Sequence, residues 1–215
     1  MKVIYVMGIL LLSICVPVAA QNDSSIDINL KGGVVFPNSP DIFHNYWRVG
    51  FNGEIGPSVT LFPSLRIVAS VGVNMFMFDS FGFRQHSIYR GRSDVVVQGR
   101  MTHLYSGTVG IQFIPVQLSK LPQPYIYIGG GYSNYIQGEI LIEEMVFTDD
   151  DVFIVEERIE EVNINAPLMR AGIGVDIPVS RSPVLFFEGR YNISLTEDAS
   201  TNFISLNLGL RFQLR

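Results

Sequence analysis

Apolar and polar residues alternate with a period of two along most of this chain, right up to its last run. Between Thr201 and Arg215, Ile204, Leu206, Leu208, Leu210, Phe212 and Leu214 alternate with Ser205, Asn207, Gly209, Arg211 and Gln213. Successive side chains of a strand point to opposite faces, so such a run is a strand with one apolar and one polar face. In Trp47–Phe62, Trp47, Val49, Phe51, Ile55, Val59 and Leu61 share one face, while Arg48, Gly50, Asn52, Glu54, Gly56, Ser58 and Thr60 share the other. The pattern repeats in Arg66–Phe78, Tyr105–Phe113, Leu168–Ile177 and Leu185–Leu195, and more weakly in Ser25–Val35 and Pro124–Ile136. These are eight strand candidates in one chain.

Their connections alternate in length. Pro63–Leu65, Pro115–Pro124 and Ile177–Pro183 are short or moderate and rich in Pro and Ser, as turns are. Phe36–Tyr46, Asp79–Arg100 and Gln137–Val162 are longer excursions, and Thr196–Thr201 is a short one on the same side. Long connections on one side and short ones on the other are the asymmetry of an up-and-down membrane barrel. The sequence shows no linker and no second domain.

Residues 1–20 read as a signal peptide and 21–215 as the folded domain. Lys2 precedes an apolar stretch from Val3 to Val18, and Val18-Ala19-Ala20 stands before Gln21, the pattern of an export leader cleaved after Ala20. The stretch falls short of the ~20 apolar residues of a spanning helix. Cys15 lies within it and is the only cysteine. The mature chain therefore has no disulfide and no thiolate chemistry.

Two architectures share this alternation. A soluble lipocalin-like barrel turns its apolar face inward, whereas an outer-membrane barrel turns it outward to lipid. The polar residues decide between them. Only 16% of the chain is charged, against roughly 25% in ordinary soluble domains. The polar strand faces are mostly Gly, Ser, Thr, Asn and Gln, which suit the narrow interior of an eight-stranded barrel. Ten of the twenty acidic residues fall between Glu139 and Glu161, outside the strands proposed to span the membrane. In hydrocarbon every backbone amide must be paired within the protein, which strands achieve only by closing into a ring. Trp47, Phe62, Phe113, Tyr125, Phe203 and Phe212 lie near strand ends, where aromatics would sit at lipid–water interfaces.

The leader, the Gly-rich alternating hairpins, "FFEGRYNIS" and the terminal "FISLNLGLRFQL" resemble the small outer-membrane β-barrel superfamily of OmpA, OmpX and opacity-type proteins. The resemblance covers almost the whole mature chain. It implies a bacterial outer-membrane location, contact with outer-membrane lipid and lipopolysaccharide, and insertion by the barrel-assembly machinery. Members of that superfamily often end on an aromatic residue, whereas here Phe212 is followed by Gln213, Leu214 and Arg215.

Glu54, Arg170, Asp176, Glu188, Arg190 and Arg211 fall on polar faces and are expected to meet in the lumen. Buried charges there must be paired, and Glu188 with Arg211 is the pair expected. Such a cluster is either a plug that fills the interior or a gate in a narrow pore. The excursion after Gln137 carries apolar residues on both sides of "TDDD" and reads as a hairpin turning at Thr148–Asp151. Its acidic residues are Glu143, Glu144, Asp149, Asp150, Asp151, Glu156 and Glu157. A similar hairpin is expected around Gly91, among Arg84, Arg90, Arg92 and Arg100, so the two excursions would attract one another. A projecting sheet of this kind offers an edge to a protein partner and weak contacts to divalent cations, without a calcium-loop pattern.

His44, His86 and His103 have no metal-ligand spacing. The acylhydrolases and acyltransferases among small barrels need Ser with His, and only His86-Ser87 and His103 with Ser106 stand near each other. No catalytic residue, cofactor or metal is expected, and the net charge of −5 disfavours nucleic acid. The expected protein is all-β: an eight-stranded antiparallel up-and-down transmembrane β-barrel, with both termini on the periplasmic side and its long loops outside. Its expected role is structural or surface-interacting. The alternatives are a narrow porin and a lipid-A-modifying barrel enzyme.

Overall fold

The computed structural model describes residues 26–115, 122–147, 151–179, 182–196 and 200–214. Eleven strands and two short helices are formed there: β1 (Ile26–Ser39), α1 (Asp41–Tyr46), β2 (Trp47–Phe62), β3 (Leu65–Phe78), α2 (Ser80–His86), β4 (Val95–Gly99), β5 (Thr102–Phe113), β6 (Gln123–Gln137), β7 (Ile140–Phe147), β8 (Val152–Ile159), β9 (Val162–Pro178), β10 (Val184–Leu195) and β11 (Ser200–Leu214). Eight of them close a barrel in the order β1-β11-β10-β9-β6-β5-β3-β2, and β4, β7 and β8 form a separate three-stranded sheet. All neighbouring pairs in the barrel are antiparallel, including the closing pair, in which Ile26 stands opposite Leu214 and Phe36 opposite Ile204.

The apolar face is outside. Along β11, Ile204, Leu206, Leu208, Leu210 and Phe212 are exposed, while Ser205, Asn207 and Arg211 are buried in the lumen. The same inversion of a soluble protein holds around the ring, with Ile55, Val71, Val109, Ile128, Ile173 and Phe187 facing outward. Strands of 12 to 17 residues exceed the ~9–11 needed to cross a bilayer, so the ladder of paired amides extends past the lipid. Among the described residues no helix is long and apolar enough to cross a membrane. The crossing is made by strands.

One strand departs from the expected faces. The register of β2 against β3 shifts between Arg48 and Phe51, where a bulge places one extra residue in β2. A one-residue slip exchanges the faces of everything beyond it. Trp47, expected beside Phe51 and Ile55 on the outer face, is therefore turned inward and is almost fully buried.

The helices belong to the long connections. Asp79 caps α2, its Oδ1 accepting from the backbone N–H of Phe81 at 3.1 Å and of Gly82 at 3.0 Å, and it also accepts from Arg48 Nη2 at 2.7 Å. The Arg48 guanidinium holds this carboxyl below its ordinary value of 3.8. No hairpin forms around Gly91. That excursion folds instead as α2, a turn and the single strand β4, because β4 finds its partner far along the chain in β7, with Val97 opposite Ile142.

Candidate functional site

Two regions hold chemistry beyond the ladder: the lumen, and the small sheet raised above it. In the lumen, β2 contributes Glu54, which accepts from Arg170 Nη1 at 2.9 Å and Arg190 Nη1 at 3.3 Å, pairs with Lys31 at 3.2 Å, and accepts from the Ser70 hydroxyl. Glu188 on β10 accepts from Lys31 Nζ at 3.0 Å, Arg190 Nη2 at 2.9 Å and the Tyr125 hydroxyl at 3.1 Å. Lys31 and Arg190 thus each bridge the two carboxylates, and the Arg190 guanidinium also lies 3.8 Å above the Tyr127 ring. Arg170 donates onward to Ser106 Oγ at 2.8 Å and Thr108 Oγ1 at 3.2 Å.

A second cluster lies nearer the short turns. Asp176 accepts from Arg66 Nη1 at 3.1 Å and from Arg211 Nη1. Arg211 donates from Nε to Asn29 Oδ1 at 2.8 Å, and Arg66 to Gln112 Oε1 at 2.9 Å. Charges taken out of water are tolerable only when each has such partners. What this arrangement does is cross-link the wall, since the two clusters and the side chains they bind reach all eight barrel strands.

Apolar clusters pack in the lumen above and among these charges. At the long-loop end, α1 lowers Phe43 into Val35, Trp47, Phe76, Leu104, Tyr135 and Phe203. The Phe43 ring meets Phe76 edge-on at 4.8 Å, and Phe76 meets Phe203 at 5.6 Å. Toward the short turns Val68, Ile114, Tyr125 and Tyr127 pack together between the two charged clusters.

The three-stranded sheet stands over the long-loop end. Near the barrel its inner face is packed: Val95, Val97, Ile140 and Ile142 meet Phe83 and Tyr89, with Tyr46 and Phe78 at the margin. Ion pairs fasten it, Arg92 to Glu144 at 2.7 Å and Arg158 to Glu139 at 3.1 Å, and the Tyr89 hydroxyl donates to Glu157 at 2.6 Å. That hydrogen bond holds the phenol proton above its ordinary range. Farther out the sheet is bare. Phe147, Val152, Phe153, Ile154 and Val155 are all at least half exposed, and among the described residues β8 pairs only with β7. On the outer face Glu143 stands directly opposite Glu156, with Met145 opposite Ile154 and Phe147 opposite Val152.

No family model matches the chain, and no curated protein matches it in sequence. Solved structures do match. A major outer membrane protein from Thermus thermophilus superposes with a TM-score of 0.52 at 11% identity, over 89% of this chain and 99% of that one. The fold is that of the small outer-membrane β-barrels. Neisserial surface protein A aligns over 90% of this chain and 98% of its own, at 13% identity and a TM-score of 0.49. Ail, the attachment invasion locus protein of Yersinia pestis, aligns over 88% and 97%, at 17% identity and a TM-score of 0.45.

Within this barrel the six lumen residues expected from the sequence, Glu54, Arg170, Asp176, Glu188, Arg190 and Arg211, are all buried inside. The expected Glu188–Arg211 pair is not made. Glu188 stands opposite Asn207 and Arg211 opposite Val184, so the two lie four rungs apart along the ladder and each takes other partners. Lys31, Arg66 and Asp27 were missed. Lys31 and Asp27 alternate with Ile28 and Leu30, so parity in the first strand carried their signal.

Of the six expected interface aromatics, Phe62, Phe113 and Phe212 face outward, whereas Trp47, Tyr125 and Phe203 are buried in the lumen clusters. Parity places Tyr125 and Phe203 inside, two residues from Tyr127 and Ser205 respectively. In the acidic hairpin Glu143, Glu144, Asp151, Glu156 and Glu157 are placed; Asp149 and Asp150 lie outside the described residues. The expected attraction between excursions is present as the Arg92–Glu144 pair. His103 and Ser106 differ in parity, Ser106 being buried in the lumen, and His86 Nδ1 lies 2.9 Å from the Gly82 carbonyl.

Proposed function

We propose that this protein is a bacterial outer-membrane barrel with a structural and surface-interacting role: a plugged anchor that holds a projecting sheet outside the cell. The observation that carries this is the bare outer half of the sheet, with a β8 edge unpaired among the described residues and exposed apolar residues, standing on a barrel whose lumen is filled by paired charges and an aromatic cluster. An unpaired edge recruits an extended segment through its main chain, and side-chain pockets choose which segment.

The charges of β8 favour a cationic partner over a second copy. If β8 pairs with itself so that Val152–Val155 stack on their own copy, Asp151 falls opposite Glu156, and like charges in that position are destabilising. A strand alternating apolar residues with Lys or Arg meets the same edge with opposite charge. It would also relieve the Glu143–Glu156 pair. The paired charges across the lumen and the aromatic cluster above them support this reading over passive transport.

Two measurements test it. Folded protein should fractionate with the outer membrane and migrate differently before and after boiling. Outer-membrane vesicles should bind an extended peptide of alternating Val and Lys, and Glu143→Lys with Glu156→Lys should weaken binding at least tenfold. Equal binding by the charge-reversed protein would remove the proposed edge, while loss of fractionation would remove the location.

A further inference from the structure

The lipid-facing wall is not uniformly ridged. A furrow of about 790 Å³ crosses its outer surface over β6, β9, β10, β11 and β1. Its floor follows one rung of the ladder, from Tyr125 to Gly174, Glu188, Asn207 and Gly33, each hydrogen-bonded neighbour opposite the next. The side chains of that rung turn into the lumen or are absent, so only backbone floors the furrow. Its banks are the outward residues of the adjoining rungs, Ile126, Ile173, Leu206 and Val34 on one side and Phe187 and Leu208 on the other. Gly189 breaks the first bank between Ile173 and Leu206, which widens the furrow at its middle.

The course of the furrow matches one kind of occupant. It starts beside Pro115 and Pro124 at the short-turn rim and ends near the middle of β1 and β11. Four inter-strand steps of ~4.8 Å make it about 19 Å long. With strands tilted by about 40°, it climbs about 12 Å. Half of the hydrocarbon core is about 15 Å. A furrow that leaves one interface and stops near the midplane has the depth of a single lipid tail.

We infer that this furrow binds one acyl chain of a phospholipid in the leaflet at the short-turn end, as a fixed rather than exchanging neighbour. The interaction is apolar burial against a backbone floor, and its selectivity is for a chain lying diagonally along the rung. Gly189 is the residue that sets it. A Cβ built there meets only the Leu206 Cδ2, at 3.4 Å, so the backbone accepts a side chain that would fill the furrow.

The test uses the whole protein extracted from membranes in mild detergent and weighed by native mass spectrometry. Wild type should retain one phospholipid, and Gly189→Phe should retain at least tenfold less. Val71→Phe, which places the same ring on the opposite wall at β3, should retain as much as wild type. Equal retention by the two variants, or none by wild type, overturns the inference. Should Gly189→Phe fail to fold, wild type in vesicles of phospholipid with a photoactivatable tail decides alone. Adducts concentrated on Ile126, Ile173 and Leu206 support the furrow, and labelling spread evenly to Val71 and Val109 sinks it.

Discussion

Glu54 is the residue on which the upper lumen turns. Its carboxylate is the shared partner of Lys31, Arg170 and Arg190, of which Lys31 and Arg190 also pair with Glu188. Removing one member of a buried ion cluster costs more than the cluster contributes, because the remaining charges stay buried without partners. Glu54→Ala is therefore expected to destabilise the barrel by about 3–5 kcal/mol, with Glu54→Gln in between, measured by urea unfolding in detergent micelles. A loss below about 1 kcal/mol would mean that water in the lumen takes over the role of the carboxylate. Glycine matters at the same scale. A Cβ at Gly174 would lie 2.5 Å from the Tyr125 hydroxyl and 2.7 Å from the Phe187 carbonyl, so the inward tyrosine has room only because its neighbour has no side chain.

At the scale of elements, the barrel strands were legible because two unlike solvents enforce strict parity, and parity is written directly in the sequence. All eight runs became barrel strands, with the polar face inside. What escaped was whatever parity does not encode. The bulge before Phe51 inserts one residue without altering composition, and so Trp47 changed sides. The partner of β4 lies some forty residues along the chain in β7, a pairing fixed by tertiary packing rather than by local pattern. Helices α1 and α2 span 6 and 7 residues, too short to hold without the barrel beneath them.

The projecting sheet divides into a packed half and a bare half, and each predicts its own response. Val97→Asp places a carboxylate among Val95, Ile140, Ile142 and Phe83. It is expected to detach the sheet, seen as fast amide exchange in β4 and β7 while the barrel amides remain protected. Ile154→Ser on the exposed half is expected to leave exchange in β7 unchanged and alter stability by no more than about 0.5 kcal/mol. Equal effects of the two would contradict the division.

For the whole molecule, the question is whether anything passes through. Charges bridge the lumen from wall to wall, and aromatic and aliphatic side chains fill it at the long-loop end. Wild type is expected to show no steady conductance in planar bilayers. Phe43→Ala removes the ring that α1 inserts among Trp47, Phe76 and Tyr135, a truncation worth about 3–5 kcal/mol in a packed core. It should give brief openings at most, because the ion clusters remain below. A large, persistent current in wild type would overturn the plugged-anchor reading.

The clasp of the ring has a consequence of its own. The earliest strand described and the last are neighbours, joined from Ile26 to Ser39 against Leu214 to Asn202. A ring fastened by its first and last strands cannot shut before the last of them is made, and until then two ribbons of open amides remain available to any passing strand. Fastening is thus the moment at which the polypeptide ceases to be sticky in water and becomes at home in oil. Whatever escorts the newborn polypeptide must guard both ribbons until they meet.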